Sequence, residues 1–95
     1  MAYDSALAAL SDPTRLKIMY YLTQEEVTPS ELAKRLHLRA PTVTHHLNEL
    51  RRAGLVNLTF RGQEKLYRSR LEAIDDSCTS LKEFLQNPPT DFAKQ

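Results

Sequence analysis

The sequence predicts a mainly α-helical domain with one small β-hairpin, ordered helix, helix, helix, helix, strand, strand, helix. Three observations carry that expectation. Apolar residues recur at helical spacing through most of the chain. Between Val56 and Arg70 the period shortens from 3.6 to 2, the alternation of a strand pair. Only two glycines occur, and both stand where a turn is required. With 95 residues, 41% hydrophobic and 26% charged, the chain has the composition of one small globular domain. That domain is assigned to residues 1–86, and residues 87–95 are read as a flexible tail or linker. A chain this short buries only about 60–65% of its unfolded surface, so help from a second subunit is expected.

The elements follow in order. Tyr3, Leu7 and Leu10 repeat at helical spacing and mark a short first helix. Asp12 is a good N-cap and Pro13 suits the first helical position, so a second helix runs from Pro13 to about Thr23. Its Leu16, Ile18, Met19, Tyr20 and Leu22 point nearly all round, which predicts a central and largely buried helix. Gln24 to Val27 is a polar connection. Thr28 and Glu31 form a capping box for a third helix, Pro29 to His37, which buries Leu32, Ala33 and Leu36 and exposes Lys34 and Arg35. Leu38-Arg39-Ala40 is a three-residue turn. Pro41 opens a fourth helix that Gly54 closes. There Val43, Leu47 and Leu50 form the inward stripe, with Pro41, His45, Asn48 and Arg52 opposite. Val56, Leu58 and Phe60 then alternate with polar residues, Arg61 to Glu64 turns, and Lys65 to Arg70 returns. From Leu71 the helical period resumes, with Ile74, Cys78, Leu81 and Leu85 in one stripe. Two short helices across a three-residue turn make a helix-turn-helix unit, and a hairpin directly after them is the wing of a winged helix.

A formal net charge of +1 hides a segregation. Residues 1–33 hold two bases and five acids, residues 34–70 nine bases and two acids, and residues 71–95 two bases and five acids. The chain therefore reads −3, +7, −3, and the basic middle points to an anionic partner. Several classes are excluded. The lone Cys78 permits neither an intrachain disulfide nor a thiolate cluster, and suits a reducing cytoplasm. No apolar run approaches the roughly 20 residues of a membrane span, and no signal-peptide pattern opens the chain.

The fourth helix is the informative element. Thr42, Thr44, His45 and Asn48 are short hydrogen-bonding side chains, able to read base edges from a major groove about 12 Å wide. Arg39 at the turn approaches a phosphate, beside a helix N-terminus whose free N–H groups favour anions. The hairpin adds Arg61, Lys65, Arg68 and Arg70, with Gly62 and Gln63 at its tip. Arg61, Gln63 and Lys65 are the wing's nucleic-acid candidates, whereas Arg68 and Arg70 equally suit a blunted strand edge or pairing with acids. His45 and His46 diverge by about 100° on a helix, so they do not share a metal ion. His46 is expected to be half-buried, packing or hydrogen-bonding. No base-and-orienter arrangement accompanies Ser, Thr or Cys78, so no catalysis is expected. The stripes of the first and last helices (Tyr3, Leu7, Leu10; Ile74, Cys78, Leu81, Leu85) are assigned to packing against a second copy, with Cys78 a small buried hydrophobe.

Taken together, Leu10-Ser11-Asp12-Pro13-Thr14-Arg15-Leu16, Glu31-Leu32-Ala33, Pro41-Thr42-Val43-Thr44-His45-His46-Leu47, Leu50-Arg51-Arg52-Ala53-Gly54-Leu55-Val56 and Arg61-Gly62-Gln63 before Tyr67 resemble the ArsR-type winged helix-turn-helix, the arsenical-resistance repressor family. The resemblance covers roughly residues 5 to 85. It implies a homodimeric bacterial transcriptional regulator, usually a repressor, dimerising through its first and last helices. It places the helix from Pro41 to Ala53 in the major groove, with Thr42, Thr44 and His45 over bases and Arg61 and Gln63 near the backbone. Two departures stand out. The cysteines many members use for metal sensing in the third helix are missing, and no His follows His46, so no metal site or cofactor is expected. Arg39-Ala40 replaces the Ser or Thr that often caps the recognition helix. The expected function is sequence-specific binding of near-palindromic double-stranded DNA by a cytoplasmic homodimer. The alternative is a winged-helix protein-interaction module with nonspecific DNA affinity.

Overall fold

Local chemistry starts the helices of this chain. Asp12 Oδ1 accepts the backbone N–H groups of Thr14 at 2.7 Å and Arg15 at 3.1 Å. With Pro13 at the first position, these bonds open α2 (Pro13–Gln24). Thr28 Oγ1 accepts the N–H of Glu31 at 3.2 Å and opens α3 (Pro29–Leu36). The reciprocal arm of the expected capping box is absent, because the Glu31 carboxylate turns to Arg35 Nε at 3.3 Å. Around these lie α1 (Ala2–Ala9), α4 (Ala40–Arg52), β1 (Val56–Arg61), β2 (Glu64–Ser69) and α5 (Glu72–Gln86), in the predicted order. The computed structural model describes the backbone of residues 2–88 and the side chains of residues 5–88. The Tyr3 side chain and most of the predicted tail lie outside the described residues.

The core sits where α2, α3, α4 and the hairpin meet. Ile18, Leu22, Leu32, Val43, Leu47, Leu50 and Leu55 are fully buried, and Met19, Val27, Val56 and Tyr67 close around them. Burying each large aliphatic side chain is worth about 1.5–3 kcal/mol, so this cluster is what holds the helices to the sheet. The predicted all-round burial of α2 is corrected: Leu16 is 52% and Tyr20 63% exposed. Helix α2 buries one face, Ile18, Met19 and Leu22, and among the described residues nothing covers Leu16 and Tyr20 on the other.

The hairpin is a two-stranded antiparallel sheet with Leu58 opposite Tyr67 and Phe60 opposite Lys65. Its two-residue turn has Gly62 at φ 63°, positive at the first position, as a Gly-X hairpin turn requires. The supposed connection before α3 also joins in. Val27 exchanges both backbone hydrogen bonds with Tyr67, at 3.1 and 3.0 Å. That extra pairing explains why adjacent Leu66 and Tyr67 are both buried despite pointing to opposite faces.

Helices α1 and α5 pack on each other. Among the described side chains of α1, Ala6 and Ala9 are buried, while Leu10, Ala73 and Ile74 lean on the core. Among the described residues, α5 fully buries Ser77 alone. The sequence expectation for Cys78 is therefore corrected: it is exposed in the single chain. Leu71, Cys78 and Leu85, seven residues apart, form an outward stripe flanked by half-buried Ile74 and Leu81.

Candidate nucleic-acid interface

The tight turn between α3 and α4 depends on an unusual backbone. His37 adopts φ 54°, ψ 43°, the left-handed region where a side chain costs energy. This lets Leu38 N–H reach back to Ala33 O at 3.0 Å and closes α3 within one residue. Arg39 then stands just ahead of α4 without a side-chain cap. Pro41 lacks an N–H, and Thr42 and Val43 both donate to Arg39 O, at 3.1 and 3.2 Å. The expected cluster of free N–H groups is thus reduced to Ala40, and Arg39 itself is the cation at this end. The uncapped start that Arg39-Ala40 suggested is present.

From there the sequence pattern and the structure coincide. Val43, Leu47 and Leu50 are fully buried, so the same helix turns Pro41, Thr42, Thr44, His45 and Asn48 to solvent as one face. Arg51 and Arg52 extend this exposed side; Arg52 pairs with Glu49 at 2.7 Å. Gly54, at φ 76°, ends the helix, with Leu55 N–H bonding Leu50 O at 2.9 Å.

On the hairpin, Arg61, Gln63, Lys65 and Arg68 are exposed. Arg70 has a structural partner set instead: Nη1 donates to Gly54 O at 2.7 Å and Nε to Glu72 at 3.2 Å. Arg61 and Glu64 line a shallow depression together with Glu25, Glu26 and Arg35. Arg35, predicted to be exposed, is half-buried between Glu25 and Glu31 and over the Tyr21 ring. The Glu25 hydrogen bond is the main reason its guanidinium holds its proton more firmly than usual.

Sequence reasoning gave Arg15 no role. In the fold its Nε donates to Ala9 O at 2.6 Å, and its Nη1 lies 3.4 Å from His46 Nδ1. The Arg15 backbone N–H is the largest factor holding the Asp12 carboxyl below the usual range. One residue thereby touches the end of α1, the cap of α2 and the inner edge of α4. Its contacts are long-range, and no local pattern announces them. His46 is half-buried and hydrogen-bonded, as its position beside the inward stripe suggested.

Among the described residues, no group of three or more His, Cys, Asp or Glu is placed to hold a metal ion, and no helix is long and apolar enough to cross a membrane. A family model described as bacterial regulatory protein, arsR family, matches residues 12–57. The transcriptional repressor SdpR of Bacillus subtilis is 28% identical over 94% of this chain and 99% of its own length. The HTH-type transcriptional regulator CmtR of Mycobacterium tuberculosis is 41% identical over 67% of this chain and 58% of its own length, and the HTH-type transcriptional regulator MJ0229 of Methanocaldococcus jannaschii is 39% identical over 65% and 70%. An ArsR-like transcriptional regulator from Rhodococcus sp. RHA1 superposes with a TM-score of 0.79 at 32% identity, covering 87% of this chain and 78% of that one. The homodimeric winged helix-turn-helix DNA-binding domain of Mb0332 from Mycobacterium bovis superposes at 0.73, with 20% identity over 93% of this chain and 82% of that one.

Proposed function

This chain belongs to the ArsR family of bacterial regulatory proteins, a winged helix-turn-helix transcriptional regulator and not an enzyme, and from that premise we propose that it is a repressor that binds a near-palindromic operator as a homodimer. The observation that carries the reading is the single exposed face of α4. It sets Thr42, Thr44, His45 and Asn48 outward from a fully buried Val43–Leu47–Leu50 spine. A helix so anchored enters a major groove as a rigid reader. Arg39 and Pro41 guide its N-terminus past the phosphates, and Arg61, Gln63 and Lys65 hold the backbone from the wing.

Residues 1–86 form the functional unit, and the protein works in the cytoplasm. The dimer is built on α1 and α5, from Tyr3, Leu7, Leu10, Ile74, Cys78, Leu81 and Leu85. Support comes from the outward apolar stripe of α5, which the described residues of the single chain leave uncovered. Two-fold symmetry then sets the recognition helices about one DNA turn, roughly 34–36 Å, apart. Metal-dependent release is not part of this reading, because α3 carries no cysteine and no histidine follows His46 in the sequence.

Titration of the chain with duplexes across a salt series tests the reading. Log affinity is expected to fall linearly with log salt. His45→Ala should compress the preference among operator variants, by about 1–3 kcal/mol at the base pair it faces, whereas Arg61→Ala should weaken all duplexes alike. Discrimination unchanged by His45→Ala would move the reading helix elsewhere.

A further inference from the structure

Phe60 is the one large apolar side chain that the hairpin leaves in solvent, 62% exposed. It stands one residue pair from the turn, directly across from exposed Lys65. Strand alternation decides which way this pair looks. Phe60 shares a face with Leu58 and Val56, and nearer the root that face enters the core that α4 completes. Toward the tip the same face therefore carries Phe60 and Lys65 out on the side of the hairpin that α4 occupies. The opposite face has a different character. Arg61 and Glu64 share a depression with Glu25 and Glu26, and Thr59 Oγ1 donates to Glu26 at 3.0 Å. Those carboxylates lie on the Arg61 face, whereas Phe60 and Lys65 stand on the other, with Gly62 and Gln63 at the tip between them.

We propose that Phe60 is a DNA-contacting residue: its ring packs on the deoxyribose wall of the minor groove beside the site read by α4, while Lys65 meets the neighbouring phosphate. The inference rests on α4 being the recognition helix. The two contacts differ in kind. A lysine that neutralises a phosphate releases counterions, and its contribution shrinks as salt rises. A phenyl ring releases none, so its contribution is the same at every salt concentration.

The experiment measures Kd for a bound duplex over a salt series with the wild-type chain, F60A and K65A. F60A should raise Kd roughly tenfold throughout with the slope of log affinity on log salt unchanged. K65A should lower that slope, by about one for each phosphate released. The chain contains no tryptophan, so F60W supplies a single fluorophore whose emission should shift to the blue on adding duplex. Sedimentation mass and melting temperature of F60A should match wild type; a change in either would assign Phe60 to the dimer or the fold and overturn the inference. So would F60A binding as tightly as wild type, a slope altered as in K65A, or F60W emission indifferent to DNA. A wild-type chain without duplex affinity would instead remove the DNA reading itself, and the inference with it.

Discussion

Arg15 Nη1 lies 3.4 Å from Nδ1 of His46, 31 residues further along the chain, while Arg15 Nε donates to Ala9 O at 2.6 Å. An arginine has donors only, so in this contact Arg15 is the donating partner. The pair joins the end of α1, an element proposed for dimerisation, to the helix proposed to read DNA. Arg15→Lys keeps the charge but cannot span both partners. It should cost about 1–2 kcal/mol in urea unfolding, and weaken duplex binding beyond what the partly unfolded fraction explains. Unchanged stability and affinity would reduce Arg15 to a surface cation.

The Asp12 cap sets an acid limit. Its carboxyl titrates below the usual value, chiefly because the Arg15 N–H bonds the charged form. A carboxyl lowered by folding contributes stability that is present above its unfolded value, about pH 4, and is lost as pH falls through the lowered folded value. Wild-type melting temperature should therefore drop more steeply than that of Asp12→Asn below about pH 4, and the two curves should converge there. Parallel curves would mean the cap charge is not linked to folding.

His37 is the one non-glycine residue at positive φ among the described residues. Glycine adopts this geometry freely. His37→Gly should stabilise the chain by about 1 kcal/mol, a rise of roughly 4–8 °C in melting temperature for a domain this size. A fall would show that the imidazole makes a compensating contact. Duplex affinity should stay within about twofold, since the turn keeps its shape.

Leu85 is 67% exposed, so Leu85→Glu leaves the single-chain core untouched. In the proposed dimer it would bury a carboxylate in the α5 stripe, a cost large enough to split a modest interface. Sedimentation should report monomers that melt at a concentration-independent temperature; a persistent dimer would place the interface elsewhere. Leu81 is half-buried within its own chain, which makes it the less clean probe.

Much of this fold was legible because its boundaries are written in single residues. Asp12-Pro13, Thr28-Pro29, Gly54 and Gly62 each do a local job that needs that side chain or its absence, and each element ends where they stand. The outward face of α4 was legible for the same reason, since three buried positions fix where all the others point. What escaped depends on contacts between distant segments. The Val27–Tyr67 pairing turns a polar connection into a third strand partner. The same composition that suggested a buried α2 could not reveal that only one side of it meets a neighbour. Arg15 was legible as part of a motif, but its work lies in a carbonyl on another helix and an imidazole on a third. Phe60 fitted the strand period perfectly; that period does not say where the core stops.

The link between Arg70 and the end of α4 has a mechanical consequence. Arg70 N–H bonds Leu55 O at 2.8 Å and its side chain bonds Gly54 O at 2.7 Å, so the hairpin is riveted where the helix ends. The end of α4 thereby fixes the angle at which the wing leaves it. Six residues of strand put the tip about 20 Å from that rivet, so a 10° tilt carries it about 3.5 Å, close to the rise of one base pair. In the proposed complex, a barely visible change at the root of the wing would equal a full step along the duplex at its tip.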